Sequence, residues 1–419
     1  MKHRLLNSTY LAAILLDAAC EALPITVLAV ILANPDNPTL MRDYPVEIRQ
    51  ALYGVLLGIY PAAMFLLSPL IGSISDRGRR KDMLLICLLS LAIAQFSAAA
   101  GIATELVLLL TLGRLVGGLA ASSESVAQAA LMDIARDEHE KTRALAWGMF
   151  MGSGGYVAGS SFAALTMDGM ISDWFAPATP FVLTGLFGLI LATLVWIYGH
   201  HNRAPTGSLQ SPPSSVRTLL LELREALRDP KFRFVCVIAF LAEIASTLFT
   251  AFSPIFLMEA HHGTAQDTGW YLASLGLMAS VTYVGLLPQA LQQLGTLATL
   301  RLGLTLAALA SIGLAASTDD SHVWFLAMPT ITGISLAYGA LMQVFCDLGG
   351  DTRGGFIFGQ MDSVMALAVM VGSLGGGLIE AFTTRGCMSI LALLSVVIAG
   401  LAFLPQAGRL GSSLAPAPA

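Results

Sequence analysis

Two carboxylic acids, Asp17 and Glu21, stand four residues apart inside the first long apolar stretch, a spacing that sets both on one face of a helix. Two carboxylates in such surroundings are not both ionised cheaply. Desolvation and mutual repulsion favour a group that holds a proton and can release it when water reaches it, which is the chemistry of proton coupling. The competing reading is that one acid forms a fixed structural pair with Arg114 or binds a cationic solute directly. Arg114 is the only basic residue set deep within an apolar span, away from its ends. An unpaired charge there costs several kcal/mol, so Arg114 is expected to face a polar cavity and to meet an acid or a carboxylate solute. Glu124, Glu243 and Asp362, the last close to Gln360, are further acids inside apolar stretches, Asp362 and Gln360 belonging to helix packing or to a cavity edge.

The elements that carry these residues must be membrane helices. Of 419 residues, 56% are hydrophobic and 12% charged, whereas soluble domains carry about a quarter charged residues. Apolar runs fall near 8–33, 50–72, 83–102, 105–131, 143–167, 179–199, 233–257, 267–288, 297–316, 322–345, 355–382 and 388–405. A lipid-exposed backbone has to satisfy its N–H and C=O groups within its own segment, and no barrel-like alternation appears, so the fold class is all-α integral membrane with twelve transmembrane helices. With both termini cytoplasmic, eighteen of the 22 Lys and Arg residues lie in cytoplasmic segments, against Arg42, Arg49 and Arg385 in outer loops.

The longest polar interruption divides the chain into two six-helix halves. Residues 1–199 form the first half, 200–231 a cytoplasmic linker, 232–405 the second half and 406–419 a cytoplasmic tail. The linker opens with Pro205, Gly207, Pro212 and Pro213, and then sets Val216, Leu219, Leu220, Leu223 and Leu227 on one face of an amphipathic helix on the inner leaflet. A faint repeat relates the halves: span 4 ends at Asp133 and span 10 at Asp347, 214 residues later.

Other chemistries find no support. A net charge of -5 without a basic stripe argues against nucleic acid. The five cysteines are scattered with no Cys-x-x-Cys pair, which predicts neither a zinc site nor a disulfide framework, and no cofactor or metal is expected. The histidines lie in loops or at span ends, and no Ser/His pair or ligand cluster within the spans suggests an enzyme. The first apolar stretch is too long for a signal peptide and lacks a small-residue cleavage site, so it is expected to remain as a span.

Between spans 2 and 3 stands Gly72-Ser73-Ile74-Ser75-Asp76-Arg77-Gly78-Arg79-Arg80-Lys81. Glycine at a helix end lets another helix approach, Asp76 suits a helix N-terminus, and the basic run anchors to the inner leaflet. This run resembles the signature of the first cytoplasmic loop of the major facilitator superfamily, with Gly78 following Arg77 one residue early. The resemblance implies a conformational lock built from Gly72, Asp76, Arg77, Gly78 and Arg80, in which Arg77 pairs with an acid at the end of helix 4, and Asp133 fits that role. The corresponding loop, Pro288-Gln289-Ala290-Leu291-Gln292-Gln293-Leu294-Gly295, has glutamines where the charges would be, so the lock is expected to be one-sided.

Gly113-Arg114-Leu115-Val116-Gly117-Gly118 in span 4 resembles the arginine signature of proton-coupled members, and with Leu16-Asp17-Ala18 and Asp133 the chain is most similar to tetracycline and multidrug exporters. Span 5 departs from them, since Ser160 stands at the place of their proline. In this family helices 1, 4, 7 and 10 line the cavity, which implies that Asp17, Glu21, Arg114, Glu124 and Glu243 share one net-negative space favouring cations or proton exchange. The implied function is a proton-coupled secondary transporter of a small organic solute, with drug-like efflux by alternating access. The alternatives are import of a carboxylate, metabolite or siderophore, and a non-transporting membrane sensor. Its implied partners are the solute, protons and the lipid bilayer, for a monomer in a bacterial inner membrane.

Overall fold

The computed structural model describes residues 2–34, 40–75, 80–120, 122–134, 138–167, 175–199, 228–261, 264–383 and 385–404. Among these residues all regular structure is helical. The elements are α1 (Lys2–Leu28, prolonged by a π turn over Ala29–Ala33), α2 (Val46–Ile74), α3 (Arg80–Ala103), α4 (Val107–Ala120), α5 (Ser123–Ile134), α6 (Glu138–Thr166) and α7 (Thr179–Tyr198). They continue with α8 (Pro230–His261), α9 (Ala265–Val281, followed by a π turn over Thr282–Leu286), α10 (Leu287–Leu294), α11 (Thr296–Ala315), α12 (Asp320–Glu380) and α13 (Gly386–Ala402).

Among the described residues, 10 helical stretches are long and apolar enough to cross a membrane, and α6 and the shorter apolar α13 occupy the two remaining predicted places. Three spans differ from expectation. The fourth is built in two pieces, α4 and α5, with a turn at Ser122. The backbone is helical throughout α12, which carries both the tenth and the eleventh spans, Ser321–Phe345 and Ser363–Glu380. No proline lies between those two spans to break the helix. The expected amphipathic helix of the linker falls at residues outside the described ones.

The chain forms two compact units. The first comprises Met1–Thr218 with Thr264–Gly276, the second Leu219–Gly263 with Leu277–Ala419. In the first unit α1 packs chiefly on α6 and also on α5 and α7, α3 lies against α4 and α7, and α2 against α4. Leu6, Tyr10 and Ile14 of α1 meet Leu88 and Leu91 of α3, Val126 and Leu131 of α5, and Leu191 and Val195 of α7 in a common core. In the second unit α12 packs on α11 and α8, and α13 closes on both. Opposite faces of the helices leave Ile86 and Ile93, Ile190 and Trp196, Leu309 and Leu393 exposed, the pattern of helices whose outer face meets hydrocarbon.

Candidate functional site

Asp17, in the middle of α1, is buried, and its Oδ2 accepts a hydrogen bond from the backbone N–H of Glu124 at 3.1 Å. Glu124 is the second residue of α5, just past the turn at Ser122, whose carbonyl takes the N–H of Val126 at 3.0 Å. The first N–H groups of a helix have no acceptor within the helix and carry partial positive charge. A carboxylate from α1 therefore caps a helix that begins inside the fourth span. Asp17 Oδ1 has no hydrogen-bond partner among the described residues, and Ser123, Glu124 and Glu21 are the groups whose dipole or charge acts on this carboxyl. Glu21, one turn further along α1, is half-buried, adjoins the Tyr156 hydroxyl of α6 and feels the opposite charge of Arg114.

Small residues allow this crowding. A Cβ added to Gly155 of α6 would lie 2.5 Å from the carbonyl oxygen of Leu15 and 2.6 Å from Cβ of Ala18, and one on Gly159 would strike the backbone of Ala19. The α6 backbone thus lies on α1 at the turn that carries Asp17 and Glu21. Gly152 leaves room for the Glu124 carboxylate, at 3.1 Å from an added Cβ, while Gly154 faces open space. Ser160 is buried beside Gly159.

Arg114 is placed by the glycines around it. A Cβ on Gly113 would come within 2.8 Å of the carbonyl oxygen of Ala94 in α3, and one on Gly117 within 3.2 Å of the Tyr60 ring in α2. The close approach sets the guanidinium carbon of Arg114 4.7 Å from the centre of the Tyr60 ring, and its Nε donates to the carbonyl oxygen of Leu56 at 3.1 Å. The buried charge is held by an aromatic face and a backbone carbonyl, and Glu21 supplies an attracting negative charge nearby. Arg114 lines a cavity of about 280 Å³ with Cys20, Tyr60, Gln95 and Phe181.

Glu243 belongs to the second unit. It is half-buried on α8 and lines a cleft of about 420 Å³ with Ala239, Ser246, Tyr338 and Met365. The structure thus brings Asp17, Glu21, Glu124 and Arg114 together in the first unit. Gln360 and Asp362 lie on the α12 backbone, and their side chains are outside the described residues.

At the α3 end, Asp133 of α5 forms an ion pair with Arg80, whose Nε is the donor. Asp76, Arg77 and Gly78 fall outside the described residues, and Gly72 lies in the last turns of α2. The counterpart segment is α10, which has no buried residue and ends at Gly295 with φ of 80°.

Three neighbours were not singled out by sequence reasoning: Tyr60 under Arg114, Tyr156 beside Glu21, and the buried Arg49. Arg49, expected in an outer loop, lies in the first turn of α2, and its Nη1 donates to the carbonyl oxygens of Leu32 and Asn34 at 2.8 and 2.9 Å, closing the end of α1. Only a tertiary contact could reveal that role.

The family model described as Major Facilitator Superfamily matches residues 13–373. The chain belongs to that superfamily. This major facilitator protein is 25% identical over 351 residues to the class G tetracycline resistance protein of Vibrio anguillarum, covering 82% of this chain and 84% of that protein. In three dimensions it is similar to a bacterial homolog of the human lysosomal transporter Spinster in an inward-facing, occupied conformation, with a TM-score of 0.76 at 15% identity over 99% of this chain and 98% of the other. It is also similar to the human organic anion transporter MFSD10 (TETRAN), with a TM-score of 0.69 at 16% identity, covering 95% and 99% of the two chains. The protein is a multi-pass membrane transporter of the secondary kind, with the family's twelve-helix fold.

Proposed function

We propose that this transporter exports a small, drug-like organic solute, one that carries positive charge, in exchange for protons, and that Asp17 carries the coupled proton with Glu21 and Arg114 as its electrostatic neighbours. One observation carries the reading: a buried carboxyl that caps the N-terminus of α5 with one oxygen and has no hydrogen bond at the other. As a carboxylate, Asp17 is stabilised by the Glu124 N–H and the positive end of α5. Protonation removes the charge that the helix end attracts, so the proton weakens the tie between α1 and α5. Loading Asp17 thereby loosens the fourth span, whose other end carries Asp133.

The remaining acids bias the first unit toward cations, and Glu243 is the acid a cationic solute would meet in the second-unit cleft. The one-sided lock of Gly72, Asp76, Arg77, Gly78, Arg80 and Asp133 holds one stage of the cycle, in which residues 1–199 and 232–405 act as halves around the linker 200–231. Gln360 and Asp362 belong to the edge of the solute path. The protein works as a monomer in a bacterial inner membrane with both termini cytoplasmic, as the Lys and Arg distribution supports. The tetracycline resistance relatives support export. Ser160, at the place of the exporters' proline, supports import as the second reading.

The test is proton movement across proteoliposomes of the purified protein as tetracycline, other cationic drugs and carboxylates are added in turn. Proton flux opposite to a cationic drug, lost in Asp17→Asn, is the expected result. Flux in the same direction as a carboxylate would replace export by import. No flux with any compound would end the coupled-transport reading.

A further inference from the structure

Glu380 is the last residue of α12 and is 3% exposed, and neither Oε1 nor Oε2 has a hydrogen-bond partner among the described residues. Its neighbours come from the two helices that close over it. Glu259, near the end of α8, presents a second carboxyl, and Cys387, in the first turn of α13, adjoins it. The Cys387 thiol spends its proton on the carbonyl oxygen of Gly376, at 3.2 Å. Arg385, the basic residue nearest in sequence, is exposed and lies over the ring of buried Phe256, with its guanidinium carbon 5.9 Å from the ring centre. α11 brings no acid, and its only charged residue, Arg301, donates to the carbonyl oxygen of Ala402 at the far end of α13. The π turn after α9 and α10 hold Tyr283, stacked edge-on against Tyr338, as their only titratable group.

The Glu380 carboxyl is out of water, faces another acid and sits at the negative end of α12, and these effects outweigh the neighbouring thiol and backbone N–H of Cys387, which favour the carboxylate. The balance favours the neutral acid. We propose that Glu380 is a second proton-carrying site of this transporter, built where the ends of α8 and α12 meet the start of α13, with Glu259 as the neighbouring carboxyl that keeps the proton in place. The ligand is a proton, held by the O–H bond of the acid. When that bond breaks, the proton passes to water, and the carboxylate left behind needs water or Arg385 as a new partner. Ionisation of Glu380 and separation of the three helix ends are therefore one event. The site shares no residue with the cluster around Asp17.

Infrared difference spectroscopy of the full chain in lipid tests this, by subtracting Glu380→Gln from the wild type at neutral pH. Glutamine has nearly the shape of a protonated glutamate, so the variant is expected to insert. The subtraction is expected to show the C=O band of one protonated carboxyl lost with Glu380, and in the wild type alone that band gives way to carboxylate absorption as pH rises. Loss of carboxylate bands only would overturn the proposal. Should the variant fail to insert, wild-type protein treated with dicyclohexylcarbodiimide, which adds to protonated carboxyls in apolar surroundings, gives the second reading by mass spectrometry. An adduct on Glu380 is expected, at least about tenfold above that on exposed Glu47 and Asp267. Adducts on Glu380 no stronger than on those two would overturn it.

Discussion

In the first unit, Asp17, Glu21, Glu124 and Arg114 crowd where α1, α4, α5 and α6 meet, whereas the cleft of the second unit sets the single acid Glu243 among Ala239, Ser246, Tyr338 and Met365. The glycines of α6 and those near the end of α12 differ in the same sense, although Gly303 of α11 and Gly333 of α12 bring backbone against backbone in the second unit too. Gly155 and Gly159 of α6 bring backbone against backbone, while Gly372 and Gly376 of α12 meet the side chains of Thr247 and Phe252, and Gly375 meets open space. A contact between backbones fixes the distance between two helices, and a contact with a side chain leaves a rotamer to give. The contact of α6 on α1 thus holds the charges of the first unit at set positions, whereas the contact of α12 on α8 leaves side chains to adjust.

Asp17→Asn is the strongest way to break that comparison. Asparagine keeps an oxygen for the Glu124 N–H and nearly the same volume, but it cannot take up a proton. Solute-driven proton flux is expected to fall to background, with insertion and thermal unfolding in detergent unchanged. Retained proton dependence would move coupling to Glu21 or Glu243 and leave Asp17 as a helix cap alone.

The next effect is on stability. Gly159→Val forces a branched side chain into the Ala19 backbone and is expected to cost about 1–3 kcal/mol, read as a lower unfolding temperature. Gly154→Ala, facing open space inside a helix, is expected to leave stability unchanged or slightly raised, and Gly376→Ala to cost less than Gly159→Ala because the Phe252 ring is a side chain. Equal losses at Gly159 and Gly376 would remove the contrast between the α1–α6 and α8–α12 contacts.

Glu243→Gln separates solute binding from coupling. Losing a charge-assisted contact worth about 1.5 kcal/mol is expected to raise the half-saturating concentration of a cationic drug about tenfold, with the ratio of protons to drug unchanged. A changed ratio would place Glu243 in the proton path and make the two units alike.

The sequence made the spans readable because hydrocarbon imposes one requirement on every segment, and the acids and Arg114 stood out because charges are rare there. What it hid depended on contacts between distant residues. Ser122-Ser123-Glu124 has the composition of a helix start, but inside an apolar run it reads as continuous helix until Asp17 is seen at its end. Arg49 looked like a loop residue because the carbonyls it closes, those of Leu32 and Asn34, lie in another element. Glu259 and Glu380, 121 positions apart, give no local signal that they face one another.

The smallest effect concerns the ends of the helices. Arg80 and Asp133 are only partly buried, with side-chain exposures of 20% and 33%, so their ion pair is expected to add only about 0.2–1 kcal/mol to stability in a double-mutant cycle of Arg80→Gln and Asp133→Asn. A static bond of that size contributes little to folding, yet it suffices to bias two states of a transporter that differ by a similar amount. Each single variant is therefore expected to slow turnover severalfold while leaving drug binding intact. The glutamines of the counterpart segment have no charge to lose, so Gln292→Ala on α10 is expected to leave turnover within error. Slowing by Gln292→Ala to the same degree would show that the two segments act alike, and that the charge of Arg80 and Asp133 is not what distinguishes the first unit.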